Sequence, residues 1–226
     1  MTREELLQIA KPVLFNTEMT VAILDGRKTV TRRCVKYKYS NTEMKMHTDK
    51  YGTRLIEIQK DVEGETHGRN LDGSTWQKLL PYIEKESQYR RGDILYVRET
   101  WSEWTGGYVY KAWSGPFPQS GKASVMKWHP SIHMPKEAAR IFLRVTDVRA
   151  ERLQDICGRG TPQDHVTNIA REGLQLQAVM ENYQKQIDDF KQLWNSTIKK
   201  SDIPLYGWDA NPWVWVIEFE RIAAEQ

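Results

Sequence analysis

A lysine and a threonine three residues apart, Lys28 and Thr31, follow closely on Gly26 within the run Gly26-Arg27-Lys28-Thr29-Val30-Thr31-Arg32-Arg33. A hydroxyl is a poor nucleophile until a base has taken its proton, and an unprotonated amine can be that base. The amine needs a lowered pKa, which burial or neighbouring cations supply; Arg27, Arg32 and Arg33 are such cations. Residues three apart in a regular strand face opposite ways. The two therefore converge only if Lys28 lies in a turn before the pleat begins, which Gly26 permits. A solvated turn lysine and an ordinary strand threonine fit the same spacing. A third candidate, Glu172, stands before Gly173 at an expected helix end. There the helix dipole opposes a negative charge, which raises the carboxyl pKa and suits a general acid. A surface glutamate beside a cap glycine fits that position equally.

Nine tryptophans beside ten tyrosines are a second source of candidates. Tryptophan stacks on bases, and when buried its N–H needs a partner. Trp101, Trp104, Trp113 and Trp128 fall in or beside an irregular stretch, 100–135, and Trp101 and Trp128 are the two expected to meet a base. Trp128, His129 and His133 lie in a proline-bounded loop that suits either a pocket wall or a buried crossover. Trp194, Trp213 and Trp215 fit periodic elements and are expected in the core, while Trp208 has no assignment. Arg90-Arg91 with the arginines around Lys28 can form a rim for phosphates, although most such runs are solvated faces.

These residues need elements to hold them. Asn16-Thr17-Glu18 offers an N-cap for a helix over 19–24 that Gly26 ends, and a strand follows over 28–33. Strands are expected over 94–99, 108–112, 140–148 and 213–221. Residues 36–74 read as an inserted polar loop with one hairpin arm at 53–59, and 75–86 as a helix divided at Pro81. A short helix is expected over 151–157, another from Thr161-Pro162 to Glu172-Gly173, and the longest over 176–197. That last helix carries an apolar stripe of Val179, Tyr183, Ile187, Phe190 and Trp194. The mixed order points to an α+β fold, one domain over 1–226 with 36–74 inserted, built on a small barrel-like sheet.

The composition bounds the function. The chain has 226 residues, 39% hydrophobic and 28% charged, which excludes a largely disordered polymer. The N-terminus lacks a signal-peptide pattern and no apolar run reaches membrane length, so a cytoplasmic protein without a membrane partner is expected. Net charge is +3, which permits a basic patch without demanding nucleic acid. Cys34 and Cys157 have no ligand-like neighbours and the five histidines form no metal motif, so no metal and no cofactor are expected.

Five ordered blocks resemble the ASCH domain family. They are Pro12-Val13-Leu14-Phe15, the glycine-arginine-lysine-threonine run from Gly26 to Arg33, Gly92 to Glu99, Glu172-Gly173, and Trp213 to Phe219. The 128–135 loop, 140–156 and Asn211-Pro212-Trp213 look like the family's larger phage and prophage branch. The resemblance implies a PUA-like small mixed β-barrel with helices over a cleft that takes a nucleoside or single-stranded nucleic acid. Small bacterial members are amidohydrolases that remove the acyl group from N4-acetylcytidine. By this likeness Lys28 is the proton acceptor, Thr31 the nucleophile and Glu172 the proton donor. Arg27, Arg33, Glu99, Trp101, Trp128 and His133 become candidates for substrate binding. The chain is about twice as long as those enzymes, with its insertion directly after the motif strand. Other members bind RNA or DNA or cleave RNA, which leaves a non-catalytic RNA or single-stranded DNA binding module, or a metal-independent ribonuclease, as alternatives.

Overall fold

The computed structural model describes residues 1–40, 42–50, 52–59, 67–69, 75–77, 83–104, 107–112, 126–157, 168–173 and 183–223. Helix α1, Arg3–Ile9, opens on a reciprocal cap in which Thr2 and Glu5 each satisfy the other's backbone N–H. Strand β1, Lys11–Leu14, leads into helix α2, Thr17–Leu24, whose first turn is capped by the Asn16 side chain accepting from the Met19 N–H. The chain turns at Gly26 (φ +74°) and enters β2, Val30–Cys34.

The main sheet combines β1 and β2 with β8, Ile94–Arg98, β11, Phe142–Arg152, and β12, Trp213–Ile222. Its order is β1-β8-β11-β12-β2, parallel between β1 and β8 and antiparallel elsewhere. Alternation divides its two faces. Val13, Leu95, Val97, Leu143, Val145, Ile217 and Phe219 join Phe15 and Ile23 in one core. Val30, Val214 and Val216 face the other way, onto Leu153, Ile156, Ile169 and helix α3, Tyr183–Thr197. Phe190 and Trp194 of the anticipated stripe are buried there, and the Trp194 Nε1–H donates to the Tyr206 carbonyl at 2.8 Å. Among the described residues no helix is long and apolar enough to cross a membrane.

The fold is α+β, and several expectations are corrected. The sheet is open rather than a closed barrel: its edge strands β1 and β2 share no backbone ladder, and the Arg33 side chain donates across to the Leu14 carbonyl at 2.7 Å. Of the stretch after β2, the hairpin arm expected at 53–59 is a strand, and residues 42–49, expected as loop, form its partner. Strands β3, Thr42–Asp49, and β4, Gly52–Gln59, pair antiparallel, and β7, Ile83–Glu84, adds to β4. Met44 and Leu55 of this sheet pack with Val35 against Trp213 and Trp215, and the Trp213 Nε1–H donates to the Met44 carbonyl. In the span 75–86, expected as a helix, the described residues 75–77 and 83–84 are strands instead, and β6, Thr75–Gln77, pairs with β5, His67–Arg69, because cross-strand hydrogen bonding outweighs local propensity.

Strand β9, Trp101–Trp104, occupies the start of the stretch expected to be irregular and pairs with β10, Gly107–Tyr110. β11 runs on to Arg152, so only a 3-10 turn, Leu153–Cys157, remains of the helix expected there. The first parts of the two later helices, 161–167 and 176–182, lie outside the described residues, as do Trp113 and Val179. Helix α4, Ile203–Tyr206, precedes β12, and Trp208 is buried against Phe190.

Candidate functional site

Lys28 is placed by the turn that follows α2. Its N–H donates to the Ala22 carbonyl at 2.9 Å, so the residue lies before the pleat of β2 starts. The segment 168–173 runs alongside. Lys28 and Glu172 form an isolated antiparallel bridge, and the Thr29 N–H donates to the Arg171 carbonyl at 3.0 Å. Gly173 (φ +92°) closes this segment against α2.

The two side chains meet in the interior. Lys28 Nζ donates to Glu172 Oε2 at 2.8 Å, to the Glu172 carbonyl at 2.9 Å and to the Val30 carbonyl at 2.8 Å. Arg32 Nη1 donates to the other carboxylate oxygen, Oε1. All three residues are buried. Burial pushes the Lys28 ammonium below its ordinary pKa; the Glu172 carboxylate opposes that shift, and Arg33 and Arg32 add to it. Burial alone would raise the Glu172 carboxyl, but the Lys28 and Arg32 cations outweigh it and hold the pKa below the usual carboxylate range. This corrects the expectation of a protonated acid: two cations, not the end of a helix, set the charge of Glu172.

Thr31 is buried and pairs with Ile217 in β12, which puts its side chain on the same face as Arg33. Arg32 faces the opposite way. No hydrogen bond joins Thr31 to Lys28 among the described residues; the lysine's three donor positions are taken by Val30 and Glu172. Phe15 connects the two sides, with its ring 5.8 Å from Lys28 Nζ and 5.4 Å from the Arg33 guanidinium. Arg27 donates to the Gly173 carbonyl at 2.7 Å and to Asp25 at 2.9 Å. It also borders a groove of about 510 Å³ that reaches Glu172 between α2 and Leu193 of α3.

The other candidates belong to a different core. Glu99 is fully buried, and its carboxylate takes two hydrogen bonds from Arg140, each 2.9 Å. A carboxylate engaged in this way acts as a structural anchor for Arg140. Trp101 is buried with Leu6, Met134 and Phe142, and its ring stacks on His129 at 4.9 Å. Its ring also meets Tyr108 edge-on, so little of the indole reaches the surface. Trp128 is half-buried, and His133 is exposed in a 3-10 turn, Ser131–His133. No hydrogen bond or ion pair links any of these four to Lys28, Arg32 or Glu172 among the described residues.

Sequence reasoning used Arg32 only as a general cation and passed over Phe15 as a site residue. Strand alternation was the available signal for Arg32, because it separates Arg32 from Thr31 and Arg33. Among the described residues no group of three or more histidine, cysteine, aspartate or glutamate side chains is arranged to hold a metal ion. Comparisons of the chain with protein-family models, with curated proteins and with solved structures found no match.

Proposed function

We propose that the chain is an ASCH-type, PUA-like domain that binds a cytosine-like base and hydrolyses an exocyclic N4-acyl amide. The buried contact between Lys28 and Glu172 carries the reading, because it joins a lysine of lowered pKa to a carboxylate inside the fold. In the proposed reaction, neutral Lys28 takes the Thr31 hydroxyl proton as Thr31 Oγ1 bonds to the acyl carbon. Glu172 relays that proton to the departing N4 amine as the carbon–nitrogen bond breaks. Water then hydrolyses the acyl-threonine. The step requires Lys28 Nζ to exchange the Val30 carbonyl for the Thr31 hydroxyl. Arg33, on the face of Thr31, supplies positive charge for the oxyanion. The mixed five-stranded sheet, with the Arg33 side chain of one edge strand bonded to the Leu14 carbonyl of the other, is the feature that supports the PUA-like reading.

Incubation with N4-acetylcytidine tests the activity by release of cytidine. Turnover by the wild type and loss of at least about 100-fold in Thr31→Ala is the expected result for a lost nucleophile. Full activity in Thr31→Ala overturns the mechanism.

A second reading, a non-catalytic binder of RNA or single-stranded DNA, is favoured by the mutual satisfaction of Lys28, Arg32 and Glu172, which a purely structural cluster also shows. It predicts no cytidine release and an oligonucleotide affinity that falls steeply with salt.

A further inference from the structure

The arginine pair Arg90-Arg91 takes no part in the Lys28 cluster, and the fold gives it a different neighbour. Gly92 (φ +89°) turns the chain between these arginines and β8. The turn is held firmly. The Gly92 N–H donates to the Val145 carbonyl at 2.8 Å, the Val145 N–H to the Asp93 carbonyl at 2.9 Å, and the Arg90 N–H to the Asp93 carboxylate at 2.8 Å. Two exposed arginines are thereby presented from a fixed backbone. They border an open groove of about 400 Å³ whose other walls include Glu86, Ser87, Val148 of β11 and Trp215 of β12. That volume is within the range of small-molecule sites.

The free groups on the wall select the ligand. Arg90 pairs with Glu86 at 3.2 Å, a largely exposed pair of little worth in water. The Arg91 guanidinium has no ion pair or hydrogen bond among the described residues. Ser87 Oγ accepts from the Tyr89 N–H at 3.2 Å, which leaves its own proton to donate. Trp215, expected in the core, is half-buried. Its indole N–H has no partner among the described residues, whereas those of Trp194 and Trp213 donate to the Tyr206 and Met44 carbonyls. The wall is therefore rich in donors, and its acid, Glu86, already meets a cation. Such a wall favours an anion with several acceptor oxygens, and a planar guanidinium meets two phosphate oxygens at once. The indole favours a flat ring beside that anion.

We infer that this groove binds a nucleotide unit, free or within a single strand, with its base against Trp215 and its phosphate on Arg91 and Arg90. The site shares no residue with the Lys28, Thr31 and Glu172 centre and does not depend on either reading of it.

Calorimetric titration of the full chain tests the site with four probes: uridine 5′-monophosphate, uridine, inorganic phosphate and hexauridylate. The monophosphate is expected to bind saturably. Uridine, which loses the phosphate, and inorganic phosphate, which loses the ring, are each expected to bind at least about tenfold more weakly, the scale of one lost charge-assisted hydrogen bond or one lost stacking contact. A hexauridylate affinity above that of the monophosphate assigns a strand as the source, and one at or below it a free nucleotide. Trp215→Leu is expected to weaken the monophosphate by a similar factor, but it also removes a ring that packs on two cores. Arg91→Gln changes an exposed side chain, so it reports on the site even if Trp215→Leu fails to fold, and the same loss is expected. Absence of saturable binding by the monophosphate, uridine or inorganic phosphate binding as tightly, or an affinity unchanged in Arg91→Gln would each overturn the assignment. None of these outcomes alters the test of hydrolysis by Thr31→Ala.

Discussion

Gly173 lies so close to Ala22 that a β-carbon on the glycine would stand 2.8 Å from the Ala22 Cβ, and 3.1 Å from the Lys28 Cβ. The glycine also has φ +92°, a conformation other residues adopt only under strain. Helix α2, the Lys28 turn and the Glu172 segment are therefore held in contact by the absence of one side chain.

Gly173→Ala is accordingly expected to destabilise the fold by about 2–4 kcal/mol, combining left-handed strain with overpacking. Urea denaturation followed by circular dichroism measures it as a lower midpoint at unchanged slope. A midpoint equal to wild type would show that the contact is not under steric control.

Removing the charge of Glu172 leaves Lys28 and Arg32 as buried cations without their carboxylate. Glu172→Gln is expected to cost about 3–5 kcal/mol, the usual penalty for breaking a buried pair on one side. The double variant Glu172→Gln with Lys28→Met relieves one stranded cation. It should be more stable than Glu172→Gln alone, with the difference read from a double-mutant cycle. Strict additivity of the two changes would contradict direct coupling.

The pH dependence of turnover follows from the direction of the Lys28 shift. Burial lowers the lysine pKa, so its neutral form is reached at lower pH than for a solvated lysine. The rate of amide hydrolysis should rise with pH as that proton is lost and level off once the amine is neutral. Lys28→Arg keeps its proton throughout and should show no such rise. A wild-type rate that does not vary over the neutral to alkaline range would remove Lys28 as the base.

Acid should weaken the inserted sheet. Burial raises the Glu57 carboxyl pKa, but Lys85, the Thr42 hydroxyl and the N–H groups of Lys38 and Tyr39 together outweigh it and hold the group at about 2. Because the folded-state pKa is depressed, the stabilisation is fully present above the unfolded value of 4.5 and is lost as pH falls from there towards about 2. Glu57→Gln should lower the denaturation midpoint at pH 7 and flatten its fall across that acid window. An unchanged acid profile in the variant would show that other carboxylates govern it.

The buried pair of Glu99 with Arg140 makes a parallel prediction. Arg140→Met leaves a fully buried carboxylate unpaired and should cost about 3–5 kcal/mol, much of it recovered in Glu99→Leu with Arg140→Met. If Arg140→Met leaves the melting temperature unchanged, Glu99 is not the anchor described above.

The sequence by itself determined the local features of the site. Asn16 caps α2, Gly26 releases the chain into a left-handed turn, and apolar alternation marks β8, β11 and β12; each depends on the residue and its near neighbours alone. Lys28 and Glu172 were also legible as candidates, because lysine and glutamate beside glycines at element ends carry recognisable chemistry. The tertiary structure decided what required distant partners. The ionisation of Glu172 was misjudged because its charge is set by Lys28 and Arg32, 144 and 140 residues away in the chain, rather than by its own backbone. The arm at 53–59 was legible as a strand, but 42–49, 67–69, 75–77 and 83–84 looked like loop or helix, because short strands take their stability from cross-strand bonds that no local pattern encodes. The tryptophans divided for the same reason. Trp101 and Trp213 lie in strands, and whether an indole meets solvent or core depends on which strand, helix or inserted sheet packs over it, a long-range outcome of the fold.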